Sequence, residues 1–516
     1  MTDITTTGGT YMPSSRPARP DGRASLRAIC IGALFFWVAG CAEEAPAPPP
    51  ESQPAPEVEA VTAESESSSQ TMLDIFRAKR AMPGHPIYVA NCAVCHDGAV
   101  KRAPHWDLLG LMTPEAILRS MIDGIMREEA AVLSDDEKVL VAEYLAGAEL
   151  GDAPEGIPAC SDEVPAIDPE SIATVRNWGF DARNSRQIPA GTAALDARDL
   201  DALAPRLAIA FPGANRARSQ PTLAAGSIFV GSHSGNVYAL DDATGCARWT
   251  YQASAEVRTG IVLAPGGPEG EPPLAYFGDV LGNVYSVNAV TGAEIWRQRP
   301  DDHPNATITA TPTLYNGRLH VSVSALEVSL AIDPYYECCT FRGSVATYDA
   351  DTGELLWKTY TIAEPAVVQS QNRAETNMRG PSGAVVWNSP SIDEKRNQLY
   401  IGTGENMSSP ATATSDALFA MNLDDGTVNW VFQATENDVW NVACDTENDH
   451  SCPPEGGPDF DFGAATLLVT TSEGRDLVIG GQKSGVVHAL DPDTGEVVWQ
   501  NQVGRGGVQG GVHFGM

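Results

Sequence analysis

Basic charge is scarce in this chain. Over 516 residues, 33 Lys+Arg face 67 Asp+Glu, a formal net charge of −34. Nucleic acid needs a basic footprint for its phosphates, so it is excluded as a main partner. An anionic membrane surface is disfavoured for the same reason. Long apolar runs are also missing, and none reaches the roughly 18 residues of a spanning helix. Charged residues are only 19% of the chain, whereas Gly numbers 48 and Pro 37. That balance points to many short strands and turns rather than long helices. Hydrophobic residues make up 43%, enough for a sizeable core, and the length suits two to four domains.

The N-terminus reads as an address. Arg16, Arg19, Arg23 and Arg27 precede the apolar run Ala28 to Val38, which ends in Val38-Ala39-Gly40-Cys41. A basic region, a short apolar region and small residues before Cys form a bacterial lipoprotein signal over 1–40, with Cys41 lipidated. Ala42 after the Cys suggests the outer membrane, facing the periplasm or the cell surface. Residues 41–75 are rich in Pro, Glu and Ser and are expected to form an extended tether.

Cys92-Ala93-Val94-Cys95-His96 is a CxxCH motif. Two thiols add across the vinyl groups of haem, and the following imidazole, His96, ligates the iron. A zinc site would need a second Cys/His pair, and the next 50 residues hold none. Downstream, Thr113 opens an amphipathic stretch. Ser134-Asp135-Asp136-Glu137 is a capping box for a helix that Gly147 can close. Residues 76–152 therefore resemble a small all-α cytochrome c domain. Such domains carry a Met as sixth ligand before the last helix. Met126 has that place, with Met112 and Met121 as rivals. A linker is expected over 153–169.

From residue 170 a unit recurs: a β-rich run, Asp/Asn-x-x-Thr-Gly (Asn422 to Asp425-Gly426 in the fourth), then Trp. It ends at Trp249, Trp296, Trp357, Trp430 and Trp499, spaced 47, 61, 73 and 69 residues apart. The turn needs Gly for positive φ, and the Trp can dock between neighbouring units. Four strands per unit stacked radially give a β-propeller. The repeat resembles the tryptophan-docking motif of quinoprotein dehydrogenases, whose propellers have eight blades. Five clear repeats and a fragment at Asn177-Trp178-Gly179-Phe180 lead to the expectation of a propeller over 170–516 that is incomplete at its C-terminus.

Ten Cys are present. Cys30 leaves with the signal, Cys41 takes lipid, and Cys92 and Cys95 take haem, leaving six in an oxidising compartment. Cys444 and Cys452 suit a bridge, and Cys160 with Cys246 would be the leftover pair. The adjacent Cys338 and Cys339 either bridge each other or stay reduced or separately paired.

The run Cys338-Cys339-Thr340-Phe341-Arg342-Gly343-Ser344, leading to Leu355-Leu356-Trp357, resembles the polyvinyl-alcohol dehydrogenase family, quinohaemoproteins with a cytochrome c domain ahead of a pyrroloquinoline quinone propeller. The resemblance covers 76–516. It implies a vicinal disulfide, Cys338–Cys339, on one face of the quinone and Trp387 on the other. It further implies Arg342 on a quinone carboxylate, Lys483 on the quinone oxygens, and calcium held by Asn406 and Glu327. Relatives place an Asp after a Trp in one loop. Here Trp440 is followed by Asn441, an amide that cannot take a proton, so Asp438 is preferred over Asp445 as the base.

These features lead to a quinohaemoprotein alcohol dehydrogenase. It would oxidise a secondary alcohol, polyvinyl alcohol or a similar polymer included, with pyrroloquinoline quinone, haem c and calcium, and pass electrons to a periplasmic acceptor. The rivals are a quinoprotein acting on another small alcohol or sugar, and a non-enzymatic propeller scaffold carrying a haem domain.

Overall fold

A computed structural model describes residues 78–97, 100, 103–151, 156–188, 198–446 and 449–515. The expected signal, Cys30, Cys41 and the tether over 41–75 lie outside the described residues. No helix among the described residues is long and apolar enough to cross a membrane.

The N-terminal module is helical. Helix Gly84–Asn91 is followed by the short helix Ala93–His96, then Trp106–Leu109, Pro114–Ile122 and Asp135–Ala146. Thr113 caps the fourth by accepting from Ala116 N at 3.2 Å. Ser134 and Glu137 form the expected capping box, and Gly147 closes the last helix at φ 68°. Gly84 lets the first helix cross the last, because a Cβ there would lie 1.9 Å from Leu140 O. Tyr88, Leu108, Ile117, Val141 and Leu145 fill the core between them.

The rest is β. Five antiparallel sheets follow in chain order, four of them four-stranded and the third five-stranded. The first holds Thr222–Ala224, Ser227–Gly231, Asn236–Asp241 and Ala247–Gln252. The second holds Val262–Ala264, Leu274–Gly278, Val284–Asn288 and Glu294–Gln298. The third runs from Thr313–Tyr315 through Arg318–Ala325 and Ser344–Asp349 to Leu355–Tyr360, with the extra strand Ala306–Thr307 on Arg318–Ala325. The fourth holds Ser391–Asp393, Gln398–Gly402, Ala417–Asn422 and Val428–Gln433. The fifth holds Leu467–Thr470, Asp476–Gly481, Val486–Leu490 and Val497–Gln502. The described residues thus contain five propeller blades where the family resemblance suggested eight.

Blades pack face to face, so middle strands are buried on both sides and read as continuous apolar runs. Phe229 and Val237 of the first blade meet Leu263 and Ala275 of the second in one core. The turn-and-Trp repeat does the joining. Trp249 Nε1 donates to Ala289 O at 3.0 Å, Trp296 to Ala350 O at 2.9 Å, Trp357 to Leu423 O at 3.2 Å and Trp430 to Pro492 O at 3.0 Å. Each indole also lies on the turn glycine of the next blade. A Cβ on Gly292 or Gly353 would come within 2.9 or 2.7 Å of Trp249 or Trp296. Glycine is needed there twice over, for positive φ and for the neighbouring indole.

The expected linker and the Asn177–Phe180 fragment form neither a free tether nor a blade. Cys160 is bridged to Cys246 of the first blade. Val175 then pairs with Leu263 of the second, Arg176 O accepts from Leu314 N of the third, Ala182 O from Ile392 N of the fourth, and Arg183 O from Leu468 N of the fifth. One extended segment therefore laces the first strands of four blades. It is too irregular for a strand signal, and its partners are all remote in sequence.

Candidate functional site

Cys92 and Cys95 are free thiols at the junction of the first two helices. His96 is buried, and its Nδ1 lies 2.7 Å from Pro104 O. A carbonyl can only accept, so Nδ1 carries the proton and Nε2 keeps a lone pair for iron. Two thiols and an oriented imidazole on one turn fit covalently held haem. Met112 and Met121 are buried in the same core, and Met126 is half-buried against it.

In the propeller, Cys338–Cys339 is a disulfide, as are Cys160–Cys246 and Cys444–Cys452. The vicinal pair is fully buried in a cluster drawn from the second and third blades and the chain after them, its backbone exchanges hydrogen bonds with Arg379, and Trp387 packs against the same cluster. Trp387 Nε1 donates to Asp461 Oδ2 at 3.0 Å, and Lys483 Nζ lies 5.7 Å from its ring. Trp387 thus has a buried ammonium beside it and packs against the cluster that buries the paired sulfurs, the residue types that suit a flat quinone. A cavity of about 400 Å³ adjoins Trp387 and is also lined by Trp178, Arg218, Arg258 and Thr311.

Lys483 reaches Asp459 Oδ1 at 2.9 Å and Asp461 Oδ2 at 3.0 Å. Burial works against its charge, but Asp461, Asp459 and Glu405 outweigh burial and hold its pKa above the usual range. Glu405, Asp459 and Asp461 offer oxygens within 4.8 Å of one another, all buried. Burial and then Asp461 push Glu405 well above the ordinary carboxyl value. Asp461 stays below it, because Lys483 overcomes the cost of burial.

Asp438 is also buried, and its carboxylate accepts from Asp459 N at 3.1 Å and Phe460 N at 2.8 Å. The Asp416 oxygens meet no N–H or O–H donor. Burial and then the neighbouring Asp438 push Asp416 well above its usual value, and burial raises Asp438 as well. Asp445 is exposed at the end of the turn Val442–Asp445. Asn441 is structural: Oδ1 caps Ala443 N at 3.1 Å, and Nδ2 donates to Met407 O and Ser451 O.

Three residues expected at the cofactor site have protein partners of their own. Asn406 is buried, but its Oδ1 accepts from Thr412 N at 2.7 Å and Thr412 Oγ1 at 3.1 Å, facing its own loop. Glu327 accepts from Thr340 N at 2.9 Å and Phe341 N at 2.7 Å, so it fixes the backbone that follows the vicinal disulfide. Neither belongs to the carboxylate trio. Arg342 donates to Ile362 O and Ala363 O and lies 3.9 Å over the Tyr360 ring. The trio went unnoticed because Glu405 precedes the predicted Asn406 by one residue, while Asp459 and Asp461 come from a distant loop. The signal in the sequence is Asp459-Phe460-Asp461, two carboxylates at alternate positions facing one way.

A family profile described as "Glucose/ethanol/alcohol dehydrogenase, beta-propeller domain" matches residues 304–500, and one described as "Cytochrome C oxidase, cbb3-type, subunit III" matches 79–145. A polyvinylalcohol dehydrogenase from Pseudomonas sp is 34% identical over 452 residues, covering 84% of this chain and 70% of the relative. Its counterpart from Sphingopyxis sp. strain 113P3 is 33% identical and covers 84% and 69%. The solved quinohemoprotein alcohol dehydrogenase from Comamonas testosteroni aligns at 20% identity and TM-score 0.45, over 64% of this chain and 49% of that one. The chain spans about half the length of that structure. A cytochrome c module ahead of a pyrroloquinoline quinone propeller, with this extent of identity, places the chain in the polyvinylalcohol dehydrogenase family of quinone-dependent oxidoreductases.

Proposed function

We propose that this chain oxidises a secondary alcohol, polymeric polyvinyl alcohol first among the candidates, and delivers the electrons to its own c-type haem. The observation that carries the reading is Trp387 beside Lys483 and packed against the cluster that buries Cys338–Cys339, in a chain that also holds the CxxCH motif. When bound, pyrroloquinoline quinone supplies the two-electron acceptor.

Trp387 and the vicinal disulfide would hold the quinone, and Lys483 would offer an ammonium to its oxygens. Arg218 and Arg258, on the cavity beside Trp387, would be available to pair with carboxylates of the cofactor. Glu405, Asp459 and Asp461 would offer hard oxygen ligands to calcium. Asp438, anchored by two amides of the loop that carries Asp459, accepts the hydroxyl proton.

A polymer must be met outside the cytoplasm. The Cys160–Cys246 and Cys444–Cys452 bridges support export, and the lipobox at Cys41 supports a lipid anchor on the periplasmic side of the outer membrane or the cell surface. The electrons leave to a periplasmic acceptor.

Reconstitution with haem, pyrroloquinoline quinone and calcium tests the reading. Polyvinyl alcohol is expected to reduce the haem, seen as growth of the c-type α-band. Reduction by short alcohols alone would favour a small-alcohol enzyme. No reduction by any alcohol would overturn the assignment.

A further inference from the structure

The cytochrome module lies against the propeller, and the contact sits beside the vicinal disulfide. Leu326 packs into the cytochrome core together with Ala255, Val280 and Leu281. The next residue, Glu327, ties down Thr340 and Phe341, directly after Cys339. Tyr336 Oη donates to Glu327 Oε1 at 2.9 Å. The ring of Tyr336 meets His105 of the cytochrome edge-on at 6.0 Å between centroids. His105 follows Pro104, whose carbonyl holds His96 Nδ1 at 2.7 Å. The seam is stitched by His105 N to Pro304 O at 3.3 Å and by Asn305 Nδ2 to Asp107 Oδ1 at 3.1 Å. On its far side, Arg216 Nη2 and His233 Nε2 both reach Leu111 O at 2.9 Å.

We infer that this seam fixes an electron route within one chain, from the Cys338–Cys339 edge through Glu327, Tyr336 and His105 to Pro104 and His96. The inference rests on the proposed alcohol oxidation. Covalent and hydrogen bonds couple electron donor to acceptor better than open gaps do, and this route is bonded except at the Tyr336–His105 ring contact. Oxidising one alcohol to a carbonyl releases two electrons and two protons. The iron takes one electron at a time, ferric to ferrous. It must return that electron to a one-electron acceptor outside the chain before taking the second. The protons leave through the carboxylates to solvent. Asp107 and Asn305 touch neither cofactor's binding groups; Asp107 Oδ1 lies 2.9 Å from His105 Nδ1, so the pair positions the imidazole of the route.

The test uses the holoenzyme with both cofactors, alcohol as donor, and two readouts. Rapid mixing follows haem reduction at the α-band. A phenazine-type dye takes electrons directly from the propeller. Asn305→Asp sets a second carboxylate against Asp107 and is expected to slow haem reduction about tenfold or more, the equivalent of about 1.4 kcal/mol in barrier. Dye-linked turnover, the haem midpoint potential and the α-band are expected to hold. Adding Asp107→Asn restores a complementary pair, and haem reduction is expected to recover. Unchanged haem reduction in folded Asn305→Asp would overturn the route. So would an equal fall in dye-linked turnover, which would make the seam merely structural. If the unaltered holoenzyme reduces neither dye nor haem, the alcohol-oxidation reading itself falls and takes the route with it.

Discussion

Asp438 is the residue proposed to take the hydroxyl proton. Asp438→Asn keeps the size and an acceptor oxygen for the Asp459 and Phe460 amides but removes the proton acceptor. Turnover is expected to fall by about 10² to 10⁴. Quinone and calcium content, read by absorbance and metal analysis, should stay at wild-type levels. A variant that keeps its rate would move the base elsewhere. A second residue governs acid stability. His320 is fully buried, and burial, then Arg318, lowers its pKa to about 3. Below the ordinary value of 6.5 the unfolded chain gains a proton that the folded chain refuses, so stability is full above pH 6.5 and drains as pH falls toward 3. Between pH 7 and pH 4.5 the loss from this group is about 2–3 kcal/mol. His320→Asn, compared with wild type by denaturant titration at both pH values, should remove that share of the slope. The CxxCH ligands and Lys483 were legible at this scale because each sits in a short local motif. Glu327 was not, because its partners, the Thr340 and Phe341 amides, are named only by the folded loop.

At the scale of elements, the turn-and-Trp repeat is the structural unit, and its glycine answers two demands. Gly353 has φ 71° and would place a Cβ 2.7 Å from the Trp296 ring. Gly353→Ala is therefore expected to cost about 1–3 kcal/mol, by left-handed strain and by displacing the indole. Trp296→Ala should cost about 3–5 kcal/mol through the cavity it leaves between the second and third blades. Thermal unfolding of both variants checks the order; equal stability of Gly353→Ala and wild type would show that the turn can relax. Trp499 is the contrasting case, 42% exposed where Trp249, Trp296 and Trp357 are buried. The strands, turns and capped helix were readable because alternation, Asp-x-x-Thr-Gly and Ser-x-x-Glu are local signals. The lace over 175–184 was not, because its hydrogen bonds go to four different blades.

Across the whole molecule, the Cys160–Cys246 bridge closes a separation of 86 residues and pins the chain between the two modules to the first blade. Replacing both by Ser is expected to cost about 2–4 kcal/mol and to open residues 156–188 to proteolysis. Unchanged cleavage would mean that the backbone bonds of the lace suffice alone. By itself, the sequence determined the order of modules, the covalent haem site, the blade repeat and the sulfurs available for pairing, because each is written within a dozen residues. Tertiary structure decided which carboxylates face Lys483 and that Asn406 turns into its own loop. It also decided that Arg342 is spent on backbone carbonyls and that the cytochrome's His105 meets Tyr336. Those contacts join residues tens to hundreds of positions apart, and only the packing of successive blades brings such residues within bonding distance.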